Sequence, residues 1–312
     1  MQRLTLDASE KVGGIPDEFQ GSILALGNFD GFHLGHQAVV GRAVARAFHE
    51  RRPAIIATFD PHPVSVFRPD VAPFRLSTLD QRQALFANAG ADAMLVFHFD
   101  PALAATSAED FIGKLLGERV SACGVITGDD FSFGKGRGGT VEMLRTLGAE
   151  HGIGAETVAP VLLEGERVSS GRVRDSLIAG DTALATRLLT RDYAIEGIVQ
   201  KGDQRGRTLG YPTANLLLGD YQRPRYGIYA VRVTLDDGSE RPGVASLGIR
   251  PTFEPPQELL EAHIFDFDGD LYGRRIEVAL HAFLRDEIKF DSAGALTAQM
   301  RLDEAQARAL LA

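Results

Sequence analysis

Two histidines three positions apart, His33 and His36, with Leu34 and Gly35 between them, are the residues whose type and spacing speak most directly of chemistry. They close the run Gly27-Asn28-Phe29-Asp30-Gly31-Phe32, which follows an apolar, strand-like stretch at 22–26 and precedes a helical pattern at 37–48. A strand therefore delivers two imidazoles to a helix start, where backbone N–H groups favour anions. Gly35 removes a side chain that would block close approach, and imidazoles there can donate to phosphate oxygens as charge builds in a transition state. The segment is neither the Gly-x-Gly-x-x-Gly dinucleotide fingerprint nor a Gly-Lys-Ser/Thr phosphate loop, which the chain lacks. His-x-x-His could also hold zinc, but no further ligand cluster joins it in sequence. A pair of solvated loop histidines is the plain alternative.

Further polar motifs end other strand-like runs. Phe59-Asp60-Pro61-His62-Pro63 closes one, and Gly128-Asp129-Asp130-Phe131-Ser132-Phe133-Gly134-Lys135-Gly136-Arg137 follows another. The glycine- and phenylalanine-rich loop could stack on or enclose a flat ring. Ser169-Ser170-Gly171-Arg172-Val173-Arg174 opens a helix and can offer hydroxyls, N–H groups and guanidinium to phosphate. Any one of these alone reads as a glycine turn or a helix cap; their convergence on one rim favours a site. Farther on, Thr213 and Asn215 project to the same side of an extended segment. Two neutral oxygens beside ATP phosphates suit Mg²⁺, which keeps several waters and takes few protein ligands. Gly202, Gly206 and Gly210 allow backbone N–H groups to close round a phosphate. Glu261 shares a strand face with His263 and Phe265, opposite Ala262 and Ile264.

The elements that must position these groups fall into two patterns. Strand-like runs at 23–26, 54–59, 93–97, 124–126 and 158–163 alternate with helical stretches at 37–48, 79–89, 108–116 and 141–151. Thr78-x-x-Gln81 and Ser107-x-x-Asp110 read as helix starts. Continuous apolar strands separated by helices predict a doubly wound parallel sheet, with ligands beyond the carboxyl ends of its strands. From 194 onward, short strands at 194–199, 228–235, 243–247, 260–266 and 275–283 follow one another without helices between them. Turn signals such as Asp236-Asp237-Gly238 and Asp268-Gly269-Asp270 separate them, which predicts an antiparallel β-barrel of about six strands. A helix over 293–311 follows. The α/β chain thus divides into domains 1–183 and 184–312, joined near 181–192.

A length of 312 residues fits two domains, and 44 % apolar residues supply two cores. A net charge of −9 argues against broad contact with nucleic acid or an anionic membrane. Small basic spots, Lys135 and Arg137, Arg172 and Arg174, then Lys201, Arg205 and Arg207, suit a small polyanion instead. Cys123 is the only cysteine and reads as a small core residue, which excludes an intrachain disulfide. The segment 1–20 lacks the apolar region of a signal peptide, and no run approaches the roughly 20 apolar residues of a membrane span. The expected location is the cytoplasm, and any self-association is expected to be weak or transient.

Together the motifs resemble, over roughly residues 15–300 and in order, the prokaryotic bifunctional riboflavin kinase/FMN adenylyltransferases, also called FAD synthetases. The His-x-Gly-His segment alone would indicate only the wider nucleotidylyltransferase superfamily. The glycine loop from Gly202 running into Tyr211-Pro212-Thr213-Ala214-Asn215, with Arg250-Pro251-Thr252-Phe253 and the stretch from Glu261 to Gly273, narrows it to this family. The resemblance implies that ATP phosphorylates riboflavin to FMN in the barrel. A second ATP then adenylylates FMN to FAD on the parallel-sheet domain, releasing pyrophosphate. It implies Mg²⁺ held by Thr213 and Asn215, and Glu261 as the base that deprotonates the ribityl hydroxyl. His33 and His36 would stabilise charge on the α-phosphoryl group. Phosphate and ATP binding would fall to Gly27, Phe29, Asp30 and Gly35, and to Ser169, Ser170, Arg172 and Arg174. In the kinase half the same role would fall to Gly202, Gly206, Arg207 and Gly210. Flavin would meet Asp60, Pro61 and His62, the Asp130, Phe131 and Phe133 loop, and Arg250.

Two positions depart from the family pattern. Gly171 stands where the family commonly has threonine, and Ser246 where it often has asparagine. Altered affinity without loss of reaction is expected at each. Three other readings remain: an enzyme with one live activity, a flavin-binding regulator that kept the pockets, and a nucleotidylyltransferase of another substrate fused to an unrelated barrel. Intact His33, His36, Thr213, Asn215 and Glu261 weigh against the first two, and the Pro-Thr-Ala-Asn loop against the third.

Overall fold

The computed structural model describes residues 1–9, 13–202, 210–250 and 257–312, with Arg250 described through its backbone only. The chain forms two compact units. One comprises Met1–Ala72 with Thr78–Ser169, the other Pro73–Ser77 with Ser170–Ala312.

The first unit is a six-stranded, wholly parallel sheet: β1 (Gln2–Asp7), β2 (Ile23–Leu26), β3 (Ala54–Asp60), β4 (Ala93–His98), β5 (Gly124–Gly128) and β6 (Gly154–Val158). The spatial order is β1-β4-β3-β2-β5-β6. The central strands are mostly apolar, β2 at all four positions, because helices cover both faces. Leu24 and Leu26 of β2 enter one core with Ile55, Leu95 and Ile112. Ile23 and Ala25 enter the other with Val40, Ile56, Met94 and Phe86. After β2 the chain first builds outward to β3 and β4, and only later adds β5 on the other side of β2. The crevice at the carboxyl ends of β2 and β5 is therefore the topological switch point, the usual ligand position in such sheets.

Helix starts at Thr78 and Ser107 hold as read. Thr78 and Gln81 form a reciprocal capping box, and Ser107 Oγ accepts from the Asp110 amide. The one-turn helix Ala108–Asp110 runs on into a wider π-helical stretch, Phe111–Arg119. Two strand assignments need correction. The last sheet strand is β6, Gly154–Val158, rather than 158–163, where a small hairpin of β7 (Leu162–Leu163) and β8 (Glu166–Arg167) lies. β6 is an edge strand whose Glu156 and Thr157 masked it as polar, and Pro160 ends the extended run. The sheet also gains β1, whose alternation buries only Leu4 and Leu6.

The second unit is an antiparallel barrel of β9 (Tyr193–Ile198), β10 (Ala214–Leu217), β11 (Gly227–Thr234), β12 (Glu240–Arg250), β13 (Gln257–Ile264) and β14 (Arg275–Arg285). The order is β10-β13-β12-β11-β14-β9, and a bridge between Gln200 and Asn215 joins the two edges. Inward positions such as Leu216, Tyr229, Val231, Leu247, Leu260 and Leu280 are buried. The helix Ala293–Leu311, capped by Ser292, lays Ala307 and Leu311 against Ala230 and Phe265 on the outer face. β10 is the strand absent from the periodicity reading: four residues, of which the Asn is polar, are too short to show alternation.

Candidate active sites

In the first unit, β2 ends at Leu26 and the chain turns sharply through Phe29 and Phe32, whose φ values are 50° and 48°. Left-handed backbone in bulky residues is uncommon and is strained by roughly 1–3 kcal/mol per residue. His33 then caps the helix Leu34–Glu50: its Nδ1 accepts from the His36 amide at 3.3 Å. That bond leaves Nε2 as the nitrogen carrying the proton in neutral His33. The two imidazoles stack, with centroids 3.6 Å apart and planes 16° from parallel. The Phe29 ring meets His36 edge-on at 5.3 Å. His33 and Asp30 are buried, and His36 is half-buried.

The glycines here make room for the site's own rings. A Cβ on Gly35 would lie 3.2 Å from His33 Cε1, and one on Gly27 3.1 Å from the Phe29 ring. Asp60 ends β3 next to this turn, through a cis peptide to Pro61, and His62 Nδ1 caps the short helix Pro63–Phe67. Across the switch point, the Asp130 carboxylate is ion-paired with Arg167 at 2.8 Å. Of the two loop phenylalanines, Phe133 is in the core against Phe111, and only Phe131, stacked on it at 5.8 Å, is half-buried.

Ser169 ends the first unit, and Ser170 opens the helix Ser170–Ala179 in the second. Within that second unit Arg174 donates from Nε to the Phe74 carbonyl at 2.8 Å and lies over the Phe74 ring. Arg172 is half-buried and Gly171 exposed.

The barrel builds its site across strands. β10 pairs with β13 so that Asn215 faces Glu261, and β12 places Ser246 on the other side of Glu261. Directly paired residues share a sheet face, so Asn215, Glu261 and Ser246 form one row on the side away from the barrel interior. Ser246 Oγ donates to Glu287 Oε1 at 3.2 Å. Asn215 also lines a cavity of ≈ 360 Å³ together with Thr213, Gly202, Asp268, Asp270 and Tyr272. Thr213 Oγ1 and Asn215 Oδ1 are 3.3 Å apart. An octahedral Mg²⁺ with bonds of about 2.0–2.1 Å sets neighbouring ligands about 2.9 Å apart, so the two oxygens would have to draw together by about 0.4 Å to share such an ion, with phosphate and water completing its shell. Gly202 packs on the Asn215 amide so tightly that any Cβ would displace it. Gly210 takes φ of 83°, the left-handed conformation a glycine permits. Gly206 and Arg207 lie outside the described residues, as does the Arg250 side chain.

The terminal helix braces this seam. The Tyr211 hydroxyl donates to Glu304 at 3.0 Å, and burial followed by the Glu304 carboxylate pushes the phenol's pKa up. His263 Nδ1 lies 2.9 Å from the Pro212 carbonyl. Arg308 binds Asp266 and holds its carboxyl below the usual range. On the rim Glu258 receives Arg223 at 2.6 Å and the Tyr226 hydroxyl. The Arg223 guanidinium lowers the Glu258 pKa, while burial, then Glu258, raises Tyr226 to about 12. Sequence reading missed Arg167, Glu287 and Glu258, since a lone charged residue carries no signal until its partner is known.

A His-x-Gly-His turn at a switch point followed by a barrel with a Thr/Asn pair beside a cavity defines a two-module phosphate-transfer protein. A family model described as FAD synthetase matches residues 15–172, and one described as riboflavin kinase matches 189–311. The bifunctional riboflavin kinase/FMN adenylyltransferase of Pseudomonas fluorescens is 40 % identical over 95 % of this chain and 94 % of its own length. That of Escherichia coli K12 is 39 % identical over 93 % and 92 %. The chain belongs to the bifunctional riboflavin kinase/FMN adenylyltransferase family. Its fold also matches a solved structure described as a macrolide-efflux protein from Streptococcus pneumoniae. The TM-score there is 0.85, with 30 % identity over 98 % of this chain and 99 % of that one. Among the described residues no helix is long and apolar enough to cross a membrane.

Proposed function

We propose that the barrel phosphorylates riboflavin with ATP and that the parallel-sheet unit adenylylates the resulting FMN, with functional domains 1–183 and 184–312. The observation that carries the kinase half is the double position of Asn215, at once a wall of the cavity and the cross-strand neighbour of Glu261. ATP in the cavity would set its γ-phosphate at Thr213 and Asn215. Mg²⁺ held there would neutralise phosphate charge. Glu261 accepts the proton of the ribityl hydroxyl, whose oxygen bonds to the γ-phosphorus as the bond to ADP breaks. Such a transfer rests on positioning and electrostatics.

In the adenylyl step an FMN phosphate oxygen attacks the α-phosphorus of ATP, the bond to the β-phosphate bridging oxygen breaks, and pyrophosphate leaves. The His33 Nε2–H and His36 stabilise the negative charge on the α-phosphoryl oxygens, at a helix start that favours the same charge. No covalent enzyme intermediate is required. Gly27, Phe29, Asp30 and Gly35 shape this turn. Ser169, Ser170, Arg172 and Arg174 serve phosphate, and Asp60, Pro61, His62, Asp130 and Phe131 serve the flavin. The fully packed Phe133 supports Phe131. A cytoplasmic setting, with Mg²⁺-ATP as co-substrate, completes the proposal.

A chromatographic time course with riboflavin, ATP and Mg²⁺ tests it. FMN is expected first and FAD later. FMN alone would mean an impaired adenylyl site; FAD from added FMN but nothing from riboflavin would leave a lone adenylyltransferase. No product from either flavin would overturn the proposal.

A further inference from the structure

The helix Leu79–Asn88 buries two side chains, Arg82 and Phe86, one turn apart. Arg82 is only 3 % exposed, and its ion-pair contact to Asp60 Oδ1 is long, 3.7 Å. A buried guanidinium persists only where its N–H donors are used. Here one of them reaches the turn proposed for adenylyl transfer. Nη1 donates to the Asn28 carbonyl at 3.2 Å and to Thr58 Oγ1 at 2.9 Å. Nε reaches the Thr78 carbonyl at 3.4 Å. Thr58 Oγ1 in turn donates to the same Asn28 carbonyl at 2.8 Å. Phe86 supports the next residues: its ring meets Phe29 at 5.8 Å and Phe32 at 5.3 Å, both edge-on. These are the two residues with left-handed backbone, and Phe29 touches His36. Strained conformations of this kind endure only where the surroundings over-determine them.

We infer that Arg82 is a positioning residue for adenylyl transfer. It clamps the Asn28 carbonyl and Thr58, and so fixes the turn that holds Phe29 against His36 and the stacked imidazoles in place. This rests on His33 and His36 being the adenylyl-transfer residues. Arg82 touches no substrate in this role; it acts through the backbone of Asn28.

The test uses the full chain with Arg82→Met, Arg82→Lys and Thr58→Val, and follows FMN to FAD and riboflavin to FMN in the same preparations. Arg82→Met is expected to lower kcat for FAD formation about tenfold or more while KM for ATP moves less than about threefold, since small misplacements act on the transition state. The kinase rate stays unchanged, Arg82→Lys recovers part of the loss, and Thr58→Val loses about threefold by the same clamp. In proton spectra the His33 and His36 ring resonances, displaced by their stacking, move in Arg82→Met while the remaining core resonances hold; a residue that merely stabilises the fold would not produce that. Unchanged kcat and unmoved histidine resonances in folded Arg82→Met would overturn the inference. If that variant is insoluble, unchanged kinetics in Thr58→Val would do so. His36→Ala is assayed beside them: FAD formation surviving there would overturn the site reading itself, a separate failure.

Discussion

In the parallel-sheet unit the centre of the site comes from one run of ten residues, 27–36, whereas the barrel draws Asn215, Glu261 and Ser246 from three strands. The first site is held by local means: a helix cap, a ring stack and a strained turn lying on a helix. The second is held by sheet register, with Asn215 pinned through the Gln200 amide bond to its carbonyl at 2.9 Å. The two sites are therefore vulnerable in different ways. A contiguous site fails when its turn loosens, and a register-built site fails when one strand's side chain is pushed out of its row.

Disabling each centre separately should give the largest effects. Glu261→Gln is expected to lower riboflavin phosphorylation by about 10²–10⁴ with FMN adenylylation intact. His33→Ala should do the converse, losing FAD formation by about 10²–10³ while FMN still accumulates. Rates of both steps in one assay decide this, and joint loss from either change would refute two separate sites. Next in size is Gly202→Ala, whose new Cβ would evict the Asn215 amide; kinase activity should fall at least about tenfold, with no change in FAD made from FMN. Gly35→Ala is the matching change in the first unit. Its Cβ would sit 3.2 Å from the His33 ring, close enough to tilt it, and a loss of about three- to tenfold in FAD formation is expected.

Smaller effects separate the braces from the chemistry. Glu258 is bound by Arg223 and Tyr226, and its folded pKa lies below the ordinary 4.5. A carboxyl lowered in this way stabilises the fold fully above its unfolded pKa, and that stabilisation is lost as pH falls through the folded value. The barrel's Tm should therefore decline below about pH 4.5 more steeply in the parent than in Glu258→Gln, which is about 1 kcal/mol less stable at neutral pH. Equal slopes would show that the contact does not hold in solution. Gly171→Thr, restoring a hydroxyl at the exposed helix start, should raise adenylyl transfer slightly; no change would mean that the missing hydroxyl is not felt.

Particular residues show how far the sequence was legible. The strand before His33, the helix after it, the caps at Thr78 and Ser107 and the terminal helix were all readable, because each is written in contiguous periodicity or in a capping pair. So was the alternation that sets Glu261 and His263 opposite the buried Ala262 and Ile264. β1 and β6 were not, since edge strands expose one side and carry polar residues there. Phe133 read as a stacking platform beside Phe131, yet its ring is buried against Phe111; two phenylalanines two apart look alike until one is packed. Arg82 gave no signal at all, being one charged residue in the middle of a helix.

By itself, then, the sequence determined the order of the elements, the two architectures and the chemical groups available to each, because these follow from periods, caps and residue types a few positions apart. Tertiary structure alone decided that Asn215 faces Glu261, that Glu287 reaches Ser246, and that Arg82 lies beneath Asn28. Those contacts join residues 41 to 54 positions apart, and only closed strand register and a packed helix can bring such distant groups together.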